Sequence, residues 1–173
     1  GSTGASGSVR HRRRCGAWPR ARRSGSPRGR GRAERFDPEQ VDVRALRHHR
    51  EIDRYAELQK QGKWQPLDFI DTIDRRVGVM GLGTIGKDTA RKFAAMGFPT
   101  AGWSRTARTL DGIETFHGPD GFQRFLARSD ILVDVLPLTR ETRGLLDAAA
   151  FARLPKGAYF INMARGGHVV DEA

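Results

Sequence analysis

Val77-Gly78-Val79-Met80-Gly81-Leu82-Gly83-Thr84-Ile85-Gly86 decides how this chain folds. Residues 77–80 are apolar and rich in valine, which predicts a short buried strand. From Ile85 to Met96 the pattern turns helical, with Ala90, Phe93 and Ala94 on one face. Three glycines lie between strand and helix, and each has a separate physical reason. Gly81 permits a tight turn, Gly83 lets the backbone approach a pyrophosphate, and Gly86 allows helix and strand to touch. The free amides of the first helical turn and the helix dipole favour anionic phosphates. The spacing therefore predicts a dinucleotide loop made of Gly81, Leu82, Gly83, Thr84, Ile85 and Gly86, against a merely structural turn.

Beyond the loop, strand and helix patterns alternate. Strands are expected over 77–80, 100–103, 131–136 and 158–162, and helices over 85–96, 121–127 and 147–153. Such alternation gives a parallel sheet with helical crossovers, so the fold class is α/β, a Rossmann-type doubly wound parallel sheet. Four strands are few for a complete domain of this kind, and the sequence stops at Ala173 where another crossover helix is expected. The sheet is thus read as incomplete and shortened at its C-terminal end.

The end of the second strand bears on cofactor choice. An acid about 20 residues beyond the glycine loop would bond the adenosine ribose of NAD. Here Trp103 is followed by Ser104, Arg105, Thr106, Ala107 and Arg108. An acid would repel a 2′-phosphate, whereas a hydroxyl and guanidinium groups would bind one by charge-assisted hydrogen bonds. NADP(H) is expected to be preferred, with NAD(H) possible. A surface cluster indifferent to the cofactor is the alternative.

Upstream, residues 36–66 read as a helical lead-in. Val41, Leu46, Ile52, Tyr55 and Leu58 are interleaved with charges, Asp37 suits an N-cap before Pro38, and Gly62 suits a stop. His48 and His49 point about 100° apart on a helix and cannot form a metal pair. They are read as surface or interface histidines, and no metal site is expected.

Residues 1–35 differ in kind. They hold 11 of the 31 Lys+Arg and one acid, Glu34, so this head carries +10 of the net +11. The rest is nearly neutral. Composition rich in Gly, Ser, Arg and Pro buries too little apolar surface to offset ordering entropy, which predicts a disordered tail. An arm of this charge could grip phosphate backbones, with Trp18 stacking on a base. The composition favours a solvated tail or a segment upstream of the true coding region, so a nucleic-acid partner is not expected. Cys15 stands alone, which suits a reduced, cytoplasmic setting. No apolar run reaches the roughly 18–20 residues of a membrane span. A chain of 173 residues suits one domain of ordinary size, here placed at 67–173.

From about residue 40 onwards the sequence resembles the D-isomer-specific 2-hydroxyacid dehydrogenases, most closely their glyoxylate/hydroxypyruvate reductase branch. Four ordered segments carry the likeness: Met80 to Gly86, Trp103 to Thr106, Leu136-Pro137-Leu138-Thr139 with Glu141-Thr142, and Gly157 to Gly166. The resemblance covers about three quarters of the chain, leaving out the basic head.

It implies a two-domain reductase in which NAD(P)H gives hydride to a small 2-oxoacid, with the helical lead-in helping a homodimer form. It also implies that Leu136, Pro137 and Thr142 pass the nicotinamide end of the cofactor and that Met163, Ala164 and Arg165 contact the cofactor as well. Arg165 would be catalytic, since a guanidinium clamps a carboxylate with two parallel bonds and polarises the neighbouring carbonyl. A surface arginine in a glycine-rich turn is the alternative. The family's proton donor, a histidine oriented by a carboxylate, would lie further downstream than this sequence extends. His168 follows Arg165 too closely and His117 is expected in a loop, so neither is assigned that role, nor are Asp171 and Glu172. The expected function is thus the cofactor-binding portion of a 2-oxoacid reductase, inactive alone. A non-catalytic dinucleotide sensor or corepressor using the basic arm is a second reading, and a product too short to fold stably is a third.

Overall fold

Val77–Met80 becomes β1, at the centre of a parallel sheet, with all four residues buried. The computed structural model describes residues 38–170. The basic head, the proposed Asp37 cap and the Asp171–Glu172 pair lie outside the described residues.

Two helices precede the sheet, α1 (Pro38–His49) and α2 (Ile52–Lys60). The single helical pattern of the sequence breaks at Glu51, whose φ of 49° is left-handed and interrupts the helical ladder. After β1 come α3 (Thr84–Ala95), β2 (Thr100–Ser104), β3 (Glu114–His117), α4 (Gly118–Ala127), β4 (Ile131–Asp134), α5 (Ala148–Phe151) and β5 (Tyr159–Asn162). The sheet order is β3-β2-β1-β4-β5, with every pairing parallel. This is the Rossmann order through its fifth strand.

β3 corrects the sequence reading, which expected four strands and a loop at His117. Its residues are exposed or half-buried. The strand sits at the sheet edge, so Glu114, Thr115, Phe116 and His117 lack the continuous apolar run that marks an interior parallel strand. α4 also begins three residues earlier than expected, with Pro119 in its first turn.

Alternation along the strands divides the core into two layers. Val77, Val79, Ile131 and Val133 face α1 and α3, meeting Val41, Ala45, Ala90 and Phe93. Met80, Ala101, Trp103 and Leu132 face α4 and α5, meeting Phe125, Leu126 and Ala150. His49 is part of the first layer rather than the surface. It is buried and meets Phe98 edge-on at 5.0 Å, while His48 stacks on Tyr159 at 4.2 Å. Burial lowers the pKa of both imidazoles, with the Arg75 guanidinium adding to the effect.

An ion pair staples the entrance of β1 to the entrance of β4. Arg76 donates to both carboxylate oxygens of Asp130 through its guanidinium, at 3.0 and 2.9 Å, and through its backbone amide at 2.8 Å. Among the described residues, no helix is long and apolar enough to cross a membrane.

Candidate active site

The strand order reverses between β1 and β4, and open α/β sheets bind ligands at the carboxyl ends of the strands beside such a point. The Gly81 loop leaves β1 there and the Leu136-Pro137 turn leaves β4. Gly81 has φ of 98°, and a Cβ on it would lie 3.0 Å from the Leu136 side chain. A Cβ on Gly86 would sit 1.7 Å from the Gly81 carbonyl oxygen, so helix and loop meet at a distance only glycine allows. Gly83 is different. Nothing in the protein lies within 4 Å of where its Cβ would stand.

Gly83 caps α3 without a side-chain hydrogen bond to the first turn. A 12-residue helix thus presents first-turn amides that no capping side chain satisfies. The space in front of them is a cavity of about 700 Å³. Gly81, Leu82 and Gly83 line it with Ser104, Arg105, Thr106 and Arg108 from the end of β2, and with Leu136, Pro137 and Thr142 from the turn after β4. Ten of the residues singled out in the sequence are thereby brought to one cavity. Thr84 and Ile85 are exposed on the opening turn of α3, and Gly86 is buried behind it. Uncapped amides, an open approach at Gly83 and guanidiniums at the far end fit a phosphate-bridged dinucleotide.

Phe122 and Gln123 of α4 and Ala149, Ala150 and Arg153 around α5 also line the cavity. None was legible as a site residue in sequence. Trp103 is set by a hydrogen bond from its indole N–H to the Gly118 carbonyl at 3.0 Å and by packing on Phe122.

Two hydroxyls are engaged in ways the sequence did not show. Ser104 is buried and donates to the Thr106 carbonyl at 2.8 Å, bending the chain after β2. Thr142 donates to the Pro137 carbonyl at 2.7 Å and accepts from the Thr139 amide at 2.8 Å, closing the Leu136–Thr142 turn on itself. Arg105 stands 3.8 Å from the Glu141 carboxylate. The Thr139 hydroxyl, with a smaller contribution from Arg105, holds the Glu141 carboxyl below the usual range.

Met163, Ala164 and Arg165 lie outside that cavity's lining, in the turn after β5. Asn162 organises the turn, accepting from the Ala164 amide at 2.9 Å and donating to the Arg165 carbonyl at 3.2 Å. Arg165 is exposed, and its guanidinium donates to the Ala164 carbonyl at 2.8 Å. His168, three residues on, is fully buried beside the equally buried Asp134, with Nδ1 at 2.6 Å from the carboxylate and Nε2 at 3.3 Å from the Pro137 carbonyl. Burial raises the Asp134 carboxyl, opposed by the Leu136 amide and by His168. Sequence reasoning passed over this pair. The available signal was Asp134 itself, an ionisable residue ending the run Ile131-Leu132-Val133, since a buried carboxyl requires a partner.

Residues 43–173 match the family described as D-isomer specific 2-hydroxyacid dehydrogenase, NAD binding domain. The chain is 41% identical over 127 residues to glyoxylate/hydroxypyruvate reductase A of Serratia proteamaculans, covering 73% of this chain and 41% of that protein. The corresponding protein of Yersinia enterocolitica is 37% identical over 133 residues, covering 77% and 42%. Among solved structures, an NADPH-dependent glyoxylate/hydroxypyruvate reductase of Sinorhizobium meliloti in complex with NADP and sulfate is 45% identical with a TM-score of 0.73, over 78% of this chain and 44% of that one. A D-isomer specific 2-hydroxyacid dehydrogenase of Xanthobacter autotrophicus with NADPH and MES is also 45% identical, with a TM-score of 0.74, over 78% and 42%. The chain thus spans about two fifths of the length of the curated relatives it matches. Glycine loop, strand order and matched residues agree: the chain belongs to the D-isomer specific 2-hydroxyacid dehydrogenases, within their NAD binding domain.

Proposed function

We propose that this chain is the cofactor-binding portion of an NADPH-dependent reductase that converts small 2-oxoacids of the glyoxylate and hydroxypyruvate class into 2-hydroxyacids. The observation that supports it best is the company of the glycine loop. Where an NAD-selective acid would stand at the end of β2, Ser104, Arg105, Thr106 and Arg108 line the same cavity as Gly81 and Gly83. In this reading the α3 amides hold the pyrophosphate, and Arg105 and Arg108 meet the 2′-phosphate.

The bound cofactor would supply hydride. Leu136, Pro137 and Thr142 give its nicotinamide end a rigid wall, because the Thr142 hydroxyl locks that turn. Arg165 orients the oxoacid by its carboxylate and polarises the adjacent carbonyl. The exposed apolar residues of the lead-in helices, Val43, Leu46, Ile52 and Tyr55, suit self-association, so a homodimer belongs to the same reading. A cytoplasmic setting is proposed with it, on the lone Cys15.

Fluorescence titration of NADPH and NADH into the purified chain tests the proposal. NADPH is expected to bind more tightly, and Arg105→Ala to weaken it about tenfold while leaving NADH within about twofold, as loss of a charge-assisted bond requires. Equal affinities for the two cofactors, or an indifferent Arg105→Ala, overturn it.

A further inference from the structure

The Asp134–His168 pair has no place in the cofactor cavity, yet it is the most deeply buried ionisable pair among the described residues, with both side chains fully inaccessible. Its connections run to both halves of the site. Asp134 ends β4, and its second oxygen accepts from the Leu136 amide at 2.9 Å, at the root of the nicotinamide-side turn. Its backbone carbonyl accepts from the Met163 amide at 3.0 Å, at the root of the arginine turn. The imidazole of His168 lies between Asp134 and the Pro137 carbonyl. Both ring nitrogens face oxygen atoms, so neither is free to reach a substrate.

The surrounding backbone follows the same line. Gly144 and Leu146 donate their amides to the Gly167 and His168 carbonyls, each at 2.9 Å, and Val170 returns a bond to Leu146 at 3.0 Å. A Cβ on Gly167 would meet the Leu138 side chain at 3.1 Å. The turn after β5 is therefore seated directly on the turn after β4, with the imidazole as the polar link between them.

We propose that Asp134 and His168 are positioning residues, which fix the Arg165 turn against the Leu136–Thr142 turn and so set where the arginine meets an oxoacid. The inference rests on the reading of Arg165 given above. It also gives His168 a purpose in a fold where its ring cannot be the proton donor. The pair further explains how an ionisable residue can be buried in a strand whose other residues are aliphatic.

Substitutions separate the links. Asp134→Asn can keep all three bonds with the other imidazole tautomer: its oxygen accepts from the Leu136 amide, its amide donates to Nδ1, and Nε2–H donates to the Pro137 carbonyl. His168→Asn keeps a partner for Asp134 and loses the reach to Pro137. His168→Leu loses both.

The test uses the full chain loaded with NADP⁺, with oxalate as a probe resembling a 2-oxoacid. His168→Leu and His168→Asn are expected to weaken oxalate at least about tenfold, the scale of a misplaced charged hydrogen bond, with NADP⁺ affinity within about threefold. Asp134→Asn is expected to retain most of the oxalate affinity. Hydrogen exchange at the Gly144 and Leu146 amides should quicken about tenfold in the two His168 variants and stay slow in Asp134→Asn. Should His168→Leu fail to fold, His168→Asn decides the matter. Unchanged exchange and oxalate affinity in His168→Asn overturn the proposal, as does a parallel loss of NADP⁺, which would make the pair a support of the cofactor turn instead. If Arg165→Ala leaves oxalate binding untouched, the reading of Arg165 fails, while amide exchange still decides whether the pair holds the two turns together.

Discussion

The glycine loop after β1 and the arginine turn after β5 flank the same sheet edge but are built in opposite ways. The first is shaped by backbone: a positive φ at Gly81, a near-contact at Gly86 and uncapped amides on α3. The second is shaped by side chains, through Asn162 within the turn and through His168 reaching Asp134, which lies 34 residues earlier. A site of the first kind tolerates little change in residue size. One of the second kind depends on partners, and fails when a partner is removed.

The largest effect expected from this contrast lies at Gly86. Gly86→Ala places a methyl 1.7 Å from the Gly81 carbonyl oxygen, which should cost about 3 kcal/mol or more of stability, the upper range of overpacking. Urea unfolding reads this directly, and an unaltered midpoint would remove the close-contact explanation.

Arg165→Ala should come next. Oxalate affinity of the NADP⁺ complex is expected to fall about 10- to 100-fold, as loss of a charge-assisted clamp implies. Stability should stay within about 0.5 kcal/mol, because the side chain is exposed. A large drop in stability would place Arg165 among the supports of the turn.

Gly83→Ala sharpens the comparison further, since the same substitution as at Gly86 meets open space. Unfolding should change by no more than about 0.5 kcal/mol, while NADPH affinity falls about tenfold, or 1.4 kcal/mol. Weakened folding with intact binding would reverse the roles assigned to the two glycines.

The smallest effect concerns pH. The folded chain holds the His48 and His49 imidazoles below their ordinary pKa of 6.5, and the Nδ1 of His49 is buried without a hydrogen-bond partner. Below pH 6.5 the unfolded chain therefore takes up protons that the folded chain resists, so stability declines as pH falls from 6.5 towards the lowered folded values. His49→Phe should flatten that decline in denaturant midpoints measured between pH 7 and 5.5. An unchanged slope would exclude His49 as its source.

Much of this was legible in the sequence because local chemistry repeats locally. The glycine spacing forces the turn that follows β1, and the valine-rich strand before it announces burial on both faces. That Ser104 and Arg105 would come near the glycine loop was readable from their spacing to it, and both line its cavity, but the internal bond that engages the Ser104 hydroxyl was not. β3 was not readable either, because Glu114 to His117 are a half-exposed edge whose pairing partner, β2, supplies the order. The break at Glu51 was hidden for a similar reason, since no glycine or proline marks it. The Asp134–His168 contact spans 34 residues, and no periodicity relates the two positions. His49 reads in sequence as a surface or interface residue, and its burial follows only from the packing of Phe98 against it.

Arg105 and Glu141 have a consequence of another sort. The guanidinium at the end of β2 already has an anionic neighbour, 3.8 Å away on the turn after β4. Any ligand that uses Arg105 must compete with that carboxylate, so its net gain is the difference between two occupants of one cation. A doubly charged phosphate wins such a contest, and an uncharged hydroxyl loses it. On the proposed reading of Arg105, selectivity at this corner would come from an incumbent as well as from an attraction, with Glu141 as its silent half.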